Sequence, residues 1–163
     1  MSYYIGTILP YIADDVVEKI RSKCGVSMEI EKSDSLERLL NNDDCFYYCS
    51  GTGPNNGFSA YESCKRIEED KEILKKQFPR FFDTEIYPLI EIRKKDAVKW
   101  VDIIHILFDI CDIKKMGILM YWVSNHIDEC DFTVFPSDTT HLDDVTADVI
   151  MKFKPEVIHY IIA

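Results

Sequence analysis

The residues best suited to chemistry in this sequence form a strip of one histidine and three aspartates, namely Asp102, His105, Asp109 and Asp112. Their spacings of three and four place them on one side of a helix. Such a strip can bind a metal ion or hold a general base. It can equally be the solvent-facing side of a buried helix. A metal would need further ligands, for which His126 and His141 are the attractive residues. We therefore assign no metal ligand and no catalytic residue.

The glycine-rich segment Gly51–Gly57 (GTGPNNG) offers a second chemistry, because a glycine-rich turn between a strand and a helix often holds phosphate. The segment lacks the lysine-serine or lysine-threonine pair of a P-loop. Asn56 also stands where a dinucleotide fingerprint needs its third glycine. A surface loop is the simpler interpretation. A ligand-binding domain or small enzyme that uses this loop is kept as the alternative function.

The six cysteines offer a third chemistry but no recognisable site. Cys45 and Cys49 are the nearest pair, and on a strand they would lie about 13 Å apart, too far for a disulfide or a shared metal. No local pattern marks a cysteine and a histidine as a nucleophile and its base. We interpret the cysteines as reduced thiols, several of them in the core.

The least ordinary feature is a stretch of 36 residues, 116–151, with seven acidic residues and no lysine or arginine, in a chain of net charge −10. The acidic residues are Asp128, Glu129, Asp131, Asp138, Asp143, Asp144 and Asp148. Aromatic residues lie among or close to them, at Tyr121, Trp122, Phe132 and Phe135. Aromatic anchors within an acidic rim suit an interface with a basic protein. The alternative is a solubilising surface above core aromatics.

The scaffold for these residues is predicted to centre on residues 86–124, which have the pattern strand, helix, strand. Residues 86–93 alternate in hydropathy, residues 96–115 have helical periodicity that ends before Gly117, and residues 118–124 form a short apolar run. Lys114 and Lys115 are expected in the last helical turn, where their positive charges would interact favourably with the negative end of the helix dipole. We predict a right-handed βαβ unit with two parallel strands.

Further elements are predicted on both sides of this unit. Strands are expected at residues 3–9, 26–31, 45–50, 131–135 and 156–162, and helices at residues 10–24, 36–40, 59–77 and 142–153. Alternating strands and helices indicate an α/β or α+β fold with a mixed β-sheet flanked by helices. The length of 163 residues predicts a single globular domain over residues 1–163.

The remaining sequence features bear on location and partners. The N-terminal residues 1–15 lack the basic region of a signal peptide, so we expect a cytoplasmic protein. The aspartates within the central helix argue against a membrane span. An acidic surface repels nucleic acid and anionic membranes and attracts basic proteins. We expect no cofactor.

In profile, the chain resembles the bacterial immunity proteins that are encoded beside contact-dependent growth inhibition toxins and other polymorphic toxins. Those proteins are typically small, acidic, cytosolic single domains without catalytic motifs. The resemblance implies a stoichiometric inhibitor, or antitoxin, that binds a basic cognate toxin domain, often a nuclease. Its acidic residues would pair with the toxin's lysines and arginines or take the place of nucleic-acid phosphates.

Overall fold

The computed structural model describes residues 2–32, 40–41, 43–51, 61–63, 89–123, 136–154 and 157–163. For residues 2–4, 61–63, 89–91 and 122–123 it describes the backbone only. The elements in chain order are β1 (Ser2–Pro10), α1 (Asp14–Cys24), β2 (Val26–Ile30), β3 (Asp44–Gly51), β4 (Tyr61–Ser63), β5 (Leu89–Glu91), α2 (Lys94–Cys111), β6 (Lys115–Val123), β7 (Ser137–His141), a 3₁₀ turn (Leu142–Asp144), α3 (Ala147–Ile150) and β8 (Ile158–Ile162).

A six-stranded mixed sheet organises the described part of the chain, in the order β2-β3-β1-β6-β8-β7. Neighbouring strands run antiparallel except β7 and β8, which are parallel. Helix α2 contacts α1 and α3. The predicted mixed sheet with flanking helices is confirmed, and its segregated, mostly antiparallel arrangement makes the fold α+β.

The predicted parallel βαβ unit at 86–124 is wrong in its pairing, although strand, helix and strand follow one another as expected. Strand β5 pairs with β4 in a separate two-stranded sheet. Strand β6 has β1 on one edge and β8 on the other, both antiparallel, so neither edge is open to β5. Hydropathy alternation identifies a strand, but it does not specify the neighbour with which that strand pairs.

Helix α2 ends earlier than its periodicity predicts. Its last residue is Cys111, and Asp112 follows in the left-handed conformation with φ 48°. Lys115, expected in the last turn, instead begins β6 and pairs with Ile162. Residues that were predicted to be helical therefore pair with β8 instead. Asp112, and not Gly117, ends the helix, because aspartate tolerates the left-handed region.

The first helix has the predicted end and buried face, since Val16, Ile20 and Cys24 are buried and Gly25 ends it with φ 67°. It begins at Asp14 and not at residue 10, because Pro10 belongs to β1 and pairs with Asp44. Strands β2, β3 and β8 also form where they were expected. Residues 61–63 form strand β4, so the helix predicted from about residue 59 does not include them.

The region predicted as one helix at 142–153 is broken into the 3₁₀ turn and α3. Thr146 starts α3 anew by accepting a hydrogen bond on its side chain from the Val149 backbone N–H at 3.3 Å. Strand β7, with the polar sequence SDTTH, has no predicted counterpart, because it lacks the apolar alternation that marks a strand.

Both faces of the six-stranded sheet bury apolar side chains. The helical layer covers one face, where Leu9, Met120 and Ile161 belong to the same core cluster as Trp100 of α2. On the opposite face, which we call the second face, the buried side chains are Ile8, Phe46, Leu119, Tyr121 and Ile158. There Phe46 and Tyr121 meet edge to face with ring centroids 5.3 Å apart.

The buried Cys49 thiol and Tyr47 phenol on β3 predict that the protein loses stability at alkaline pH. Burial raises the pKa of the Cys49 thiol to about 12 and that of the Tyr47 phenol to about 12. The folded protein thus keeps both protons to about pH 12, whereas the unfolded chain releases them near the ordinary values of 9.0 and 10.0. Below about pH 9 these groups should therefore give the free energy of unfolding no pH dependence. Above about pH 9 they should make it fall, by up to about 1.4 kcal/mol per pH unit for each group.

Urea denaturation at a series of alkaline pH values measures this fall. Between about pH 9 and 10 Cys49 contributes more to the slope than Tyr47, so Cys49→Ala should flatten the profile there. An unchanged slope in Cys49→Ala would show that this thiol is not buried as described.

Candidate functional site

The described acidic residues of the stretch lie on the edge strand β7 and on the two short elements that follow it, of which α3 packs against α2. Asp138 is on the edge strand β7, Asp143 and Asp144 are in the 3₁₀ turn, and Asp148 is in the first turn of α3. All four are exposed. Tertiary structure thus places four of the seven predicted partner-binding residues on consecutive elements, and we call them the acidic edge. The other three, Asp128, Glu129 and Asp131, lie outside the described residues.

Asp138 differs from the other three because it has an internal partner. Its Oδ1 lies 2.6 Å from Nδ1 of His159, whose side chain is buried in β8. The two residues are paired in the register of the parallel strands, so the contact links the edge strand to its neighbour. Asp138 therefore has a structural role in addition to the surface role predicted for it.

His159 has the residue type of a general base, but its surroundings hold the ring in place. Its Nε2 accepts a hydrogen bond from the Lys154 backbone N–H at 2.9 Å, and the Lys154 carbonyl oxygen lies 3.1 Å from the same nitrogen. The ring also stacks on Phe153 with centroids 4.1 Å apart. With both nitrogens engaged, neither is free to take a proton from a substrate, and the Asp–His pair ties β7, β8 and the preceding turn together.

Sequence reasoning did not find this pair. The two residues are 21 positions apart, and β7 does not have the hydropathy of a strand. The acidic residue and the histidine are juxtaposed by the parallel pairing of β7 and β8, which no local pattern encodes.

The strip of Asp102, His105 and Asp109 is the solvent face of α2. All three are exposed, and Asp112 lies beyond the helix end, where its carboxylate pairs with Lys114 at 2.7 Å. That ammonium group, as a hydrogen-bond and charge partner, lowers the pKa of Asp112. Among the described residues no group of three or more histidine, cysteine or acidic side chains is arranged to hold a metal. The structure thus fits the simpler interpretation of the strip, and His126 lies outside the described residues.

A buried ion pair lies at the start of α2. Asp96, which is fully buried, accepts a hydrogen bond at 2.6 Å from Nε of Arg93, whose side chain is 27% exposed. The carboxylate is in the first turn of the helix, where a negative charge is favoured by the helix dipole. Among the described residues the second oxygen Oδ1 and the Arg93 Nη2 have no hydrogen-bond partner. The pair anchors the helix start to the core.

The glycine-rich segment of the alternative function lies outside the described residues apart from Gly51, which ends β3. Within the described ranges, no helix is both long enough and apolar enough to span a membrane. Comparison of the chain with protein-family models, with curated proteins and with solved structures finds no match.

Proposed function

We propose that this chain is a stoichiometric protein inhibitor of the bacterial immunity class, which binds a basic toxin domain through its acidic edge. The proposal places the protein in the cytoplasm and gives it no catalytic residue and no cofactor. A nuclease toxin fits best, because its substrate-binding surface must be basic to hold nucleic acid.

The exposure of three neighbouring carboxylates carries the proposal. Asp143, Asp144 and Asp148 extend into solvent within a segment of six residues, and none forms an ion pair with a described residue. No lysine or arginine occurs from residue 116 to residue 151, and the first base after them is Lys152. Unpaired carboxylates on consecutive short elements form a concentrated negative potential, which speeds and orients the approach of a basic protein.

A second observation favours an inhibitor over a hydrolase at this edge. The Asp138–His159 pair has the composition of a catalytic dyad, but both ring nitrogens of the buried His159 have structural partners. The acidic edge therefore offers negative charge for binding a partner, and the Asp138–His159 contact holds its strand β7 in place against β8.

Reversing the three carboxylates tests the proposal. The triple variant Asp143→Lys, Asp144→Lys, Asp148→Lys should lower the association rate with the basic partner by about tenfold or more at low ionic strength. The loss should shrink as salt screens the charges. The measurement is capture of the neighbouring gene's product on immobilised protein, followed by association kinetics at about 50 mM and about 500 mM salt.

The matched control reverses three exposed acids on α1 and α2, Asp14, Asp102 and Asp109, and changes the net charge by the same amount. If only total charge matters, both variants will lose binding equally. If the acidic edge is the interface, only the first variant will lose it. Equal binding by wild type and the edge variant, with both folded by circular dichroism, would rule out this interface.

A further inference from the structure

Strand β7 lies at the edge of the sheet and leaves one side of its backbone open. It is the last strand in the sheet order, pairs with β8, and has no described strand on its other side. Four of its five residues are exposed, namely Ser137, Asp138, Thr139 and His141. Lysine, proline and bulges commonly protect such edges, but the sequence SDTTH contains neither lysine nor proline, and its register with β8 is continuous. Strand β7 is therefore a template on which another chain can add a strand.

The pairing with β8 decides which backbone groups of β7 remain open. The Ile158 N–H donates to the carbonyl oxygen of Pro136 at 2.9 Å, and Ile158 pairs in register with Ser137. In a parallel ladder of this register, the even-numbered residues of β7 turn their N–H and C=O groups toward β8. Successive residues of a strand turn these groups to opposite sides. The outward groups therefore belong to the odd-numbered residues, which are Ser137, Thr139 and His141.

The negative charge at this open edge lies on one side of the sheet. Asp138 contacts His159, which is the cross-strand partner of Ile118 in the core cluster, so Asp138 faces the helical layer. The chain then passes through the 3₁₀ turn to α3, which packs on α2, and these two elements carry the other described carboxylates of the acidic edge. The side chains of an added strand would alternate between the two faces of the sheet. Every second one would therefore lie on the side that carries the carboxylates.

A second copy of this chain is the poorer occupant of the open edge. Pairing of two β7 strands about a twofold axis would bring two acidic edges together, and like charges placed opposite each other repel. No lysine or arginine from residue 116 to residue 151 offsets that repulsion. A basic segment with the same backbone groups gains from the same charges, so charge complementarity favours a basic partner over a second copy.

We propose that β7 binds an extended segment of the basic partner as an additional strand of the sheet, with lysine or arginine at alternate positions on the side of the carboxylates. The intervening positions lie beside Thr139 and His141 on the second face, where β-branched residues fit an added strand. Hydrogen bonds to the outward backbone groups supply affinity, and the alternating charges select the partner. The inference rests on the proposed function, because it takes the acidic edge as the interface with a basic protein.

A synthetic peptide tests strand addition without the natural partner. The probe is a fluorescein-labelled peptide of sequence TKVKVKVT, titrated with the full chain at about 50 mM salt and followed by fluorescence anisotropy. Two isomers carry N-methyl groups on the three lysine residues or on the three valine residues, which removes hydrogen-bond donors without changing the charge. Residues of one set face β7 and those of the other set face solvent, so one isomer should bind at least about tenfold more weakly and the other as the unmethylated probe.

The isomers also report the direction of the added strand. Loss with N-methylvaline indicates antiparallel addition, and loss with N-methyllysine indicates parallel addition, because the two ladders present different residues to the outward groups of β7. Absence of binding by TKVKVKVT, or equal affinities of the two isomers, would overturn strand addition. A purely electrostatic contact would give the second of these results.

Variants of β7 test the same edge from the side of the protein. Thr139→Pro removes an outward N–H and places the proline ring on the open side, while the hydrogen bonds to β8 stay intact. It should remain folded by circular dichroism and bind TKVKVKVT at least about tenfold more weakly. The matched control Thr139→Val keeps the N–H and should bind as the wild type. Wild-type affinity in Thr139→Pro would contradict the proposal.

The assignment of outward groups has its own check. Thr140→Pro removes an N–H that faces β8, so it should lower the melting temperature, whereas Thr139→Pro should not. The reverse order of stabilities would show that the other set of residues faces outward and would overturn the proposal. A wild-type dimer in sedimentation that becomes monomeric in Thr139→Pro would assign the edge to a second copy instead.

The neighbouring gene's product separates failure of this inference from failure of the proposed function. Its binding is compared among the wild type, the variant with Asp143, Asp144 and Asp148 reversed to lysine, and Thr139→Pro. Loss in both variants supports strand addition at the acidic edge. Loss in the charge-reversed variant alone would uphold the acidic edge as the interface and overturn strand addition. Unchanged binding in both variants would overturn both.

Discussion

Replacing Trp100 with alanine is expected to lower the free energy of unfolding by about 3–5 kcal/mol. Trp100 is fully buried on α2 and is the largest of the completely inaccessible side chains in the described core. It packs in the cluster that joins α2 to the sheet and to α1. The truncation removes the largest block of apolar contact and leaves a cavity that the neighbouring strands, fixed by their ladders, cannot close.

Thermal or urea denaturation measures this loss, and Val98→Ala on the same helix is the matched control. Val98 is 48% exposed, so its truncation should change stability by less than about 0.5 kcal/mol. A domain of this size is stable by only about 5–15 kcal/mol, so the tryptophan variant should be close to unfolding at physiological temperature. A Trp100→Ala protein that melts with the wild type would show that α2 does not pack as described.

Replacing Arg93 with methionine is the second change expected to have a large effect, a loss of about 3 kcal/mol in the free energy of unfolding. The substitution leaves the fully buried Asp96 carboxylate without its described cation. A buried charge without a partner costs more than the pair itself contributes. Because the Arg93 side chain is partly exposed, water can reach it, and the loss should fall at the lower end of the range for buried pairs.

The double variant Arg93→Met, Asp96→Leu separates the two contributions. Removing both charges should recover much of the loss, because an apolar replacement of a buried pair is often neutral or stabilising. The comparison is made by urea denaturation of the wild type, both single variants and the double variant, as a double-mutant cycle. A double variant as unstable as Arg93→Met would mean that the unpaired charge on Asp96 does not account for the loss.

Local patterns predicted the elements whose hydropathy repeats strongly. The spacing of Val16, Ile20 and Cys24, followed by Gly25, correctly identified the buried face of α1 and its end, although the helix starts at Asp14 and not at residue 10. The run around Trp100 and Leu107 correctly identified α2 as a core helix. Where the pattern was weak or shared, prediction failed: the polar β7 was missed, and the end of α2 was placed at Gly117 although the helix ends at Cys111.

The candidate sites divide in the same way. The sequence identified the acidic residues of the edge, because a run without lysine or arginine is visible in one dimension. It did not reveal the close packing over Gly117, which lies between Ile8 of β1 and Tyr160 of β8 in one cross-strand row. Nor did it reveal the Asp138–His159 pair or the role of Arg93 beside Asp96.

The sequence by itself determined which segments are apolar on one side, where the chain turns at Gly25, and that negative charge accumulates after residue 116. These properties depend on near neighbours, since helix and strand periods extend over a few residues. Only the tertiary structure decided that β5 leaves the main sheet, that β7 and β8 run parallel, and that Asp138 lies beside His159. Those outcomes depend on which strand edges remain open once β1, β3, β6 and β8 have paired, and that competition is settled by the whole chain at once.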